Sequence, residues 1–492
     1  MKLTQDLYRA SLALLTDFYQ LTMAYAYWKN GLADRKSVFH LFFRSNPFKG
    51  GYAVACGLEF VIDYLRNFSF HQSDLDFLST IKSKAGNRLF EPEFLDYLAE
   101  LQFSCDLDAI PEGTVVFPHE PLLRISGPVI QCQLLETPLL NMINFQTLIA
   151  TKSARINISA MGEPVLEFGL RRAQGIDGGL SASRAAFIGG CASTSNVLAG
   201  KLFGIPVSGT HSHSWIMTFD TELEAFKAYA NALPDNCIFL VDTYDSLEGV
   251  RNAIEVGRLL RENGKRMAGI RIDSGDLAYI SQKARVLLDE AGFSDADIVA
   301  SNNLDENLVR SLKNQDARIT MWGIGTRLAT AYDQPAIGGV YKMSAIEDGK
   351  GNWEYKIKLS EQTVKINNPG IQQVRRYYES GKIVADMIYD IKYGVSDRNT
   401  IFHPGDYTKR KLLDEQVLQS KDLLVPVFQT GKLTYDPPDI REIQAKVKDE
   451  LNSLYAGIKR FENPHTYPVG LEQKLYDKKM ELIFKLRQYE NH

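Results

Sequence analysis

Between residues 165 and 341 the chain repeats one pattern: a short apolar run, a polar turn, then a stretch of helical periodicity. The runs are Val165–Leu170, Leu202–Val207, Cys237–Val241, Met267–Ile272, Ile298–Ala300, Ile319–Ile324 and Ile337–Tyr341. Apolar runs this short, without polar alternation, read as strands buried on both faces. Helical connections between them force neighbouring strands to run parallel. Six or seven such units predict an α/β fold with an irregular (β/α) barrel or barrel-like sheet, and a doubly wound open sheet is the alternative. The G-x-G-x-x-G pattern of a dinucleotide fold does not follow the first strand.

The flanks have a different texture. Near the start, Thr16 reads as a helix N-cap with Asp17 on the first turn, and Phe18, Leu21, Tyr25 and Trp28 form one stripe that Asn30-Gly31 ends. Tyr19 sits beside that stripe and by pattern reads as core. Phe39–Arg44 reads as a strand, and Thr114–Phe117 and Leu122–Ile125 as two more on either side of a Pro-His-Glu-Pro turn. A long helix is expected from Thr137 to about Met161, with Pro138 in its first turn. Beyond residue 348, hairpin-like alternation precedes two charged amphipathic helices, Asp439–Phe461 and Leu471–Tyr489. A chain of 492 residues exceeds one ordinary core. The expected division is an N-terminal mixed α+β domain (1–136), a barrel-like catalytic domain (137–348) and a C-terminal accessory region packing on both (349–492).

Totals exclude several classes. A net charge of −4 supplies no basic field for nucleic acid or a membrane surface, so an anionic ligand needs a local cluster of arginines or lysines. Five scattered cysteines without C-x-x-C suit neither a disulfide framework nor a zinc site and fit a reducing cytoplasm. The N-terminal stretch meets Asp6 and Arg9 before any long apolar run, so no signal peptide is expected, and no run reaches membrane length.

Parallel strands bring their carboxyl ends to one mouth. Read in order, those ends carry Phe168 with Arg171 and Arg172, then Thr210, His211 and His213, then Asp242, Thr243 and Asp245. Arg271, Asp273, Ser274 and Asp276 follow, then Ser301 to Asn303, then Gly323, Gly325, Thr326 and Arg327. Gly323 to Thr326 exposes backbone N–H groups suited to a monophosphate. Asp273 and Asp276 suit ribose hydroxyls or a hydrated Mg²⁺, and equally an Asx turn or helix cap. Arg171 and Arg271 suit a carboxylate or a pyrophosphate. A rival reading pairs His211 and His213 as metal ligands of a barrel hydrolase with Asp242 or Asp273, but the remaining histidines after His213 all lie beyond residue 400.

The motifs together resemble the nicotinate phosphoribosyltransferase family. The stretches that carry the likeness are Thr16–Gln20, Glu136–Asn141, Glu167–Ala173, Ser208–His213, Ile272–Leu277, and Gly325-Thr326 with Gly339–Lys342. The resemblance implies a type II phosphoribosyltransferase fold. It implies a homodimer with shared active sites and an ATP-coupled, Mg²⁺-dependent synthesis of nicotinate mononucleotide from nicotinate and phosphoribosyl pyrophosphate. It also implies that His213 is a phosphorylated histidine oriented by Asp242. Phe168, and Tyr19 from the other subunit, would sandwich the pyridine ring. Arg171, Thr210, Arg271 and Asp273 would surround the base, ribose and phosphates, and Gly325, Thr326 and Arg327 the 5′-phosphate. The alternatives are a nicotinamide-using relative and a non-catalytic binding protein on the same fold.

Overall fold

Six short strands build the sheet that the repeat foretells: β1 (Val165–Glu167), β2 (Ser193–Thr194), β3 (Ile238–Leu240), β4 (Gly269–Ile272), β5 (Asp297–Ala300) and β6 (Met321–Ile324). Every pairing is parallel, in the order β2-β1-β6-β5-β4-β3. The computed structural model describes residues 11–362, 365–396, 400–406, 408–413 and 418–489. The N-terminal stretch with Asp6 and Arg9 lies outside them. Val165, Phe239, Ile270, Ile298 and Trp322 are fully buried, which is why these runs carry no polar alternation.

Five helices between or beside the strands begin on a side-chain cap, whereas Gly175–Ile188 after β1 and Thr326–Ala329 after β6 have none. Asn196 caps Val197–Phe203, Thr221 caps Glu222–Ala232 with Glu224 closing the capping box, Asp245 caps Ser246–Glu262, Asp276 caps Leu277–Glu290 and Asp305 caps Glu306–Asn314. Three carboxylates near the mouth are therefore committed to orphan helix amides.

Two expected strands change place. Leu202–Val207 is not a strand: the helix Val197–Phe203 runs into it and stops at Gly204, whose φ of +68° suits glycine. Leu202 and Val207 are more than half exposed; within the run Ile205 is buried, and only Val207 bridges to Thr194. The sheet uses Ser193-Thr194 instead. Ile337–Tyr341 does not finish the series either; it enters the strand Gly339–Glu347, antiparallel to Lys36–Phe43 in another sheet. The strands Val115-Val116 and Leu123–Pro128 do not pair with each other: the first pairs with Ala53-Val54, the second with Lys36–Phe43 and Asp106–Ala109. The first long helix is capped by Asp17 rather than Thr16 and spans Phe18–Lys29, with Gln20 completing its capping box. The long helix Glu136–Ala160 and the last helix Gln473–Tyr489 lie where periodicity puts them, whereas the helix expected over Asp439–Phe461 spans Ile440–Ser453 and is followed by a separate 3-10 turn, Ala456–Lys459.

Where three consecutive regions were expected, the chain forms two interleaved compact units. One holds residues up to Thr147, Ala336–Asp439 and the chain from Lys448 onward; the other holds Leu148–Pro335 with Ile440–Val447. Strand pairing is the cause. Within the first unit, Gly339–Glu347 and Val425–Gln429 join Lys36–Phe43 and Asp106–Ala109 in one seven-stranded sheet, so the late chain completes the early one.

That unit contains a fully buried ion pair. Arg376 meets Asp386 at 2.7 Å and Glu450 at 3.0 Å, donates to the Val115 carbonyl at 2.8 Å, and Tyr467 donates to Asp386 at 2.9 Å. Removing one partner strands the other charge in low dielectric. Arg376→Met is expected to lower unfolding free energy by about 3–5 kcal/mol, and adding Asp386→Leu to recover part of the loss, read by chemical denaturation.

Candidate active site

Phe168 leaves β1 at the mouth and is held from beneath. The buried carboxylate of Glu167 accepts the Gly169 amide, the Ser183 hydroxyl at 2.9 Å and the Thr194 hydroxyl at 2.6 Å. The Phe168 amide donates to the Ile324 carbonyl at 2.8 Å. The ring lies across Gly323, where a Cβ would stand 2.7 Å from a ring carbon, so glycine there makes room for the aromatic face. A 3-10 turn, Leu170–Arg172, then exposes Arg171.

His213 opens the short helix His213–Ile216 and is half-buried. Its Nδ1 lies 3.1 Å from Thr243 Oγ1. Asp242, expected as its orienting partner, faces the other way: Oδ2 accepts the Asp273 amide at 2.9 Å and the Ser274 hydroxyl at 2.6 Å. The physical reason is that the amide just past β4 needs an acceptor and Asp242, at the end of the neighbouring strand, is within reach. Its Oδ1 is buried and without a hydrogen-bond partner.

His211 is buried, and burial pushes its pKa down to about 4. A neutral imidazole could in principle ligate metal, but its Nε2 already accepts the Leu240 amide at 3.3 Å. Among the described residues no group of three or more His, Cys, Asp or Glu side chains is placed to hold a metal ion, so the paired-histidine site of a barrel hydrolase does not form.

Arg271 reaches across β4. Its Nη1 donates to Thr210 Oγ1 at 2.5 Å and to the His211 carbonyl at 3.5 Å, and Nη2 lies 3.8 Å from Asp273 Oδ1. Burial pushes its guanidinium below the ordinary range, Asp273 and Asp242 draw it back up, and neighbouring Arg171 pushes it down again. Asp273 also accepts the Ser301 hydroxyl.

Two cavities meet at these residues. One of about 910 Å³ is lined by Phe168, Arg171, Thr210, Trp215, Tyr229 and Arg271 among others. The other, about 110 Å³, is lined by Arg171, Arg271, Asp273, Ser301, Gly325 and Thr326 among others. Phe168, Arg171 and Arg271 belong to both walls. The Gly325-Thr326 turn thus lies where the sequence puts it, opening the helix Thr326–Ala329.

Two expected site residues are engaged elsewhere. Arg327 pairs with Asp305 at 2.9 Å and lies 4.9 Å from the Tyr332 ring centroid, a structural tie rather than a free cation. Asp276 accepts the Tyr279 amide at 3.1 Å as a helix cap. Tyr19 belongs to the first unit and is 48% exposed, so it is not core as its pattern reads. Burial raises its pKa, and Glu136 and Asp17 add to the rise. Ser195 and Leu233 also line the larger cavity and were missed in sequence: Ser195 follows the polar two-residue β2, and Leu233 reads as an ordinary helix-end apolar residue. For a divalent cation, the orphan oxygen of Asp242 and the carboxylate of Asp273 offer hard oxygen donors on adjacent strand ends. That set fits Mg²⁺ sharing its shell with water and phosphate.

Comparison with known proteins follows the same outline. Models described as the nicotinate phosphoribosyltransferase N-terminal domain, family and C-terminal domain match residues 14–144, 165–356 and 371–479. The nicotinate phosphoribosyltransferase of Bacillus subtilis (strain 168) is 45% identical over 486 residues, covering 97% of this chain and 96% of its own. The Homo sapiens enzyme of that name is 34% identical over 526 residues, covering 95% and 96%. The crystal structure of human nicotinic acid phosphoribosyltransferase superposes with a TM-score of 0.83 at 32% identity, covering 95% of this chain and 99% of that one. With three domain models matched in order and the human fold reproduced over nearly its whole length, this chain belongs to the nicotinate phosphoribosyltransferase family.

Proposed function

We propose that this protein transfers the phosphoribosyl group of phosphoribosyl pyrophosphate to nicotinate, yielding nicotinate mononucleotide and pyrophosphate for NAD biosynthesis, with ATP hydrolysis coupled through a phosphohistidine. The observation that carries this reading is one aromatic face, Phe168, standing between two cavities that share Arg171 and Arg271. A flat anionic base stacks on the ring, and the same two cations meet its carboxylate and the phosphates.

The chemistry asks little covalent work of the protein. The pyridine nitrogen attacks C1 of the ribose with its own lone pair, the C1–O bond to pyrophosphate breaks, and no proton has to leave the nitrogen. The barrier lies in the cationic sugar and the departing anion, so the residues act by placement and charge. Phe168 holds the ring plane, Thr210 and Asp273 suit the ribose hydroxyls, and the Gly325-Thr326 turn suits the 5′-phosphate. Bound Mg²⁺, held by Asp273 and Asp242, would supply positive charge to the pyrophosphate.

For ATP coupling, His213 Nδ1 lies 3.1 Å from Thr243 Oγ1; in this reading the ring proton sits on Nδ1 and is donated to that oxygen, which leaves Nε2 with its lone pair for the γ-phosphoryl group. The P–O bond to ADP breaks as the P–N bond forms, and water later releases phosphate. Phosphohistidine adds negative charge facing the cationic wall, which reorganises Arg271 and its neighbours for substrate. The working unit in this reading is a homodimer in the cytoplasm, with Tyr19 of the partner subunit on the second face of the base. No helix among the described residues is long and apolar enough to cross a membrane.

Nicotinate mononucleotide formation, with and without MgATP and with nicotinamide in parallel, tests the reading directly. Product from nicotinate accelerated by ATP is expected; product from nicotinamide alone transfers the assignment to the amide-using relative, and no product from either removes it. His213→Ala is expected to abolish labelling by [γ-³²P]ATP while leaving slow ATP-independent transfer, and undiminished labelling would move the phosphoryl acceptor elsewhere. Thr243→Val should slow that labelling about tenfold by freeing the imidazole tautomer. Gly323→Ala pushes a methyl into the Phe168 ring, so the KM for nicotinate should rise about tenfold or more with little change in unfolding temperature. An unchanged KM would detach Phe168 from the base.

A further inference from the structure

The parallel sheet has two edges, β2 and β3, and one segment reaches both. At β2 the contact is backbone: Thr194 N–H donates to the Pro206 carbonyl and Ser208 N–H to the Thr194 carbonyl, each at 3.0 Å. At β3 a side chain meets the edge. Val241 N–H turns inward to the Arg271 carbonyl of β4 at 3.1 Å, so by strand alternation the preceding amide, Leu240 N–H, points away from the sheet. His211 Nε2 accepts it at 3.3 Å. An imidazole stands where a further strand would have to stand.

The ring is held rigidly. It is 8% exposed, and Tyr229, Phe226 and Phe239 surround it at centroid distances of 4.9, 5.9 and 6.4 Å. Its own carbonyl, with the Thr210 hydroxyl, receives Arg271 Nη1. This residue is thus tied to β3 by its side chain and to β4 by its backbone, two positions before His213.

We propose that His211 is a positioning residue of the phosphohistidine loop: its imidazole closes the seam of the barrel by accepting the Leu240 amide, and this closure fixes the backbone on which Thr210 and His213 stand. The proposal rests on the reading of His213 as phosphoryl acceptor given above. The latch needs a neutral ring with a bare Nε2, because a proton there would set two donors against each other. The ionisable groups that face the ring are Arg271 from β4, His213 from its own segment and Tyr229 from the helix Glu222–Ala232. Burial pushes the ring's pKa down to about 4, with the Ser212 backbone opposing and Arg271 and His213 adding to the shift, so the ring is neutral near pH 7.

The requirement is an acceptor at the right reach, so glutamine should replace histidine where leucine cannot. His211→Leu is expected to slow both ATP-coupled nicotinate mononucleotide synthesis and labelling of His213 about tenfold or more, with the KM for phosphoribosyl pyrophosphate changed less than threefold. His211→Gln should return both rates to within about threefold of wild type. Amide exchange at Leu240 should be slow in wild type and His211→Gln and fast in His211→Leu. Wild-type labelling and exchange in His211→Leu, or a glutamine variant no better than leucine, overturns the proposal. A wild-type enzyme that ATP does not label removes the reading of His213 instead, while Leu240 exchange still judges the latch. One check needs no variant and no activity: in a ¹⁵N-histidine spectrum of the wild type, His211 carries its proton on Nδ1, and a proton found on Nε2 overturns the proposal.

Discussion

The buried carboxylate of Glu167 is the interaction on which the mouth of the barrel depends. A carboxylate out of water is tolerated only when donors replace its hydration, and Glu167 has the Gly169 amide and the hydroxyls of Ser183 and Thr194. Those donors come from β2, from the helix Gly175–Ile188 and from the turn after β1 itself, so one residue fastens three elements. It also explains how a strand as polar and short as Ser193-Thr194 holds its place. Asn196 extends the same network, giving its amide N–H to Thr194 and its side chain to Ser183. Phe168 is the next residue along the chain, and its orientation is the consequence. An aromatic surface that must receive a flat ligand cannot rely on packing from above, where the ligand goes; it is fixed from below.

This layout accounts for what could be read in the sequence and what could not. Strands buried on both faces announce themselves by apolar content, and β1, β3, β4, β5 and β6 fall where the runs do. β2 has no apolar signature because its stability comes from side-chain hydrogen bonds. Leu202–Val207 has the signature without the structure, because Gly204 ends a helix inside it and Leu202 and Val207 face outward. The pairing of Val425–Gln429 with Asp106–Ala109 was not legible at all: residues more than three hundred positions apart leave no local periodicity that specifies their register.

The site residues divide along a similar line. Residue type at a strand end was legible, and Phe168, Arg171, Thr210, Arg271 and Asp273 all line one or both of the cavities that meet at the mouth. Partnership was not. Asp, Ser and Thr just past a strand serve equally as helix caps and as site groups, and only geometry separates Asp276, which caps, from Asp273, which lines the cavity. The family resemblance pairs His213 with Asp242, whereas its Nδ1 lies against Thr243. Asp242 instead bridges two strand ends, and it keeps one buried oxygen without a hydrogen-bond partner.

That leftover oxygen, set beside the two arginines, gives the mouth its electrostatic character. Arg271 is partly desolvated, and the nearby charge of Arg171 pushes its guanidinium further down. Asp273 and Asp242 offset this in part; Arg172 also lines the smaller cavity, and Arg327 is occupied by Asp305 and contributes no free charge. A cavity wall with two crowded cations is preorganised for an anion, because the repulsion is already present before ligand arrives and is relieved when it binds. The nearby carboxylates limit that attraction, so a phosphate-bearing ligand enters a site of mixed sign rather than a uniformly positive one. Such a site favours ligands that bring both anionic groups for Arg171 and Arg271 and hydroxyls or bound cation for Asp273 and Asp242. A phosphorylated sugar with its metal has both; a simple carboxylic acid or a simple polyanion has only one.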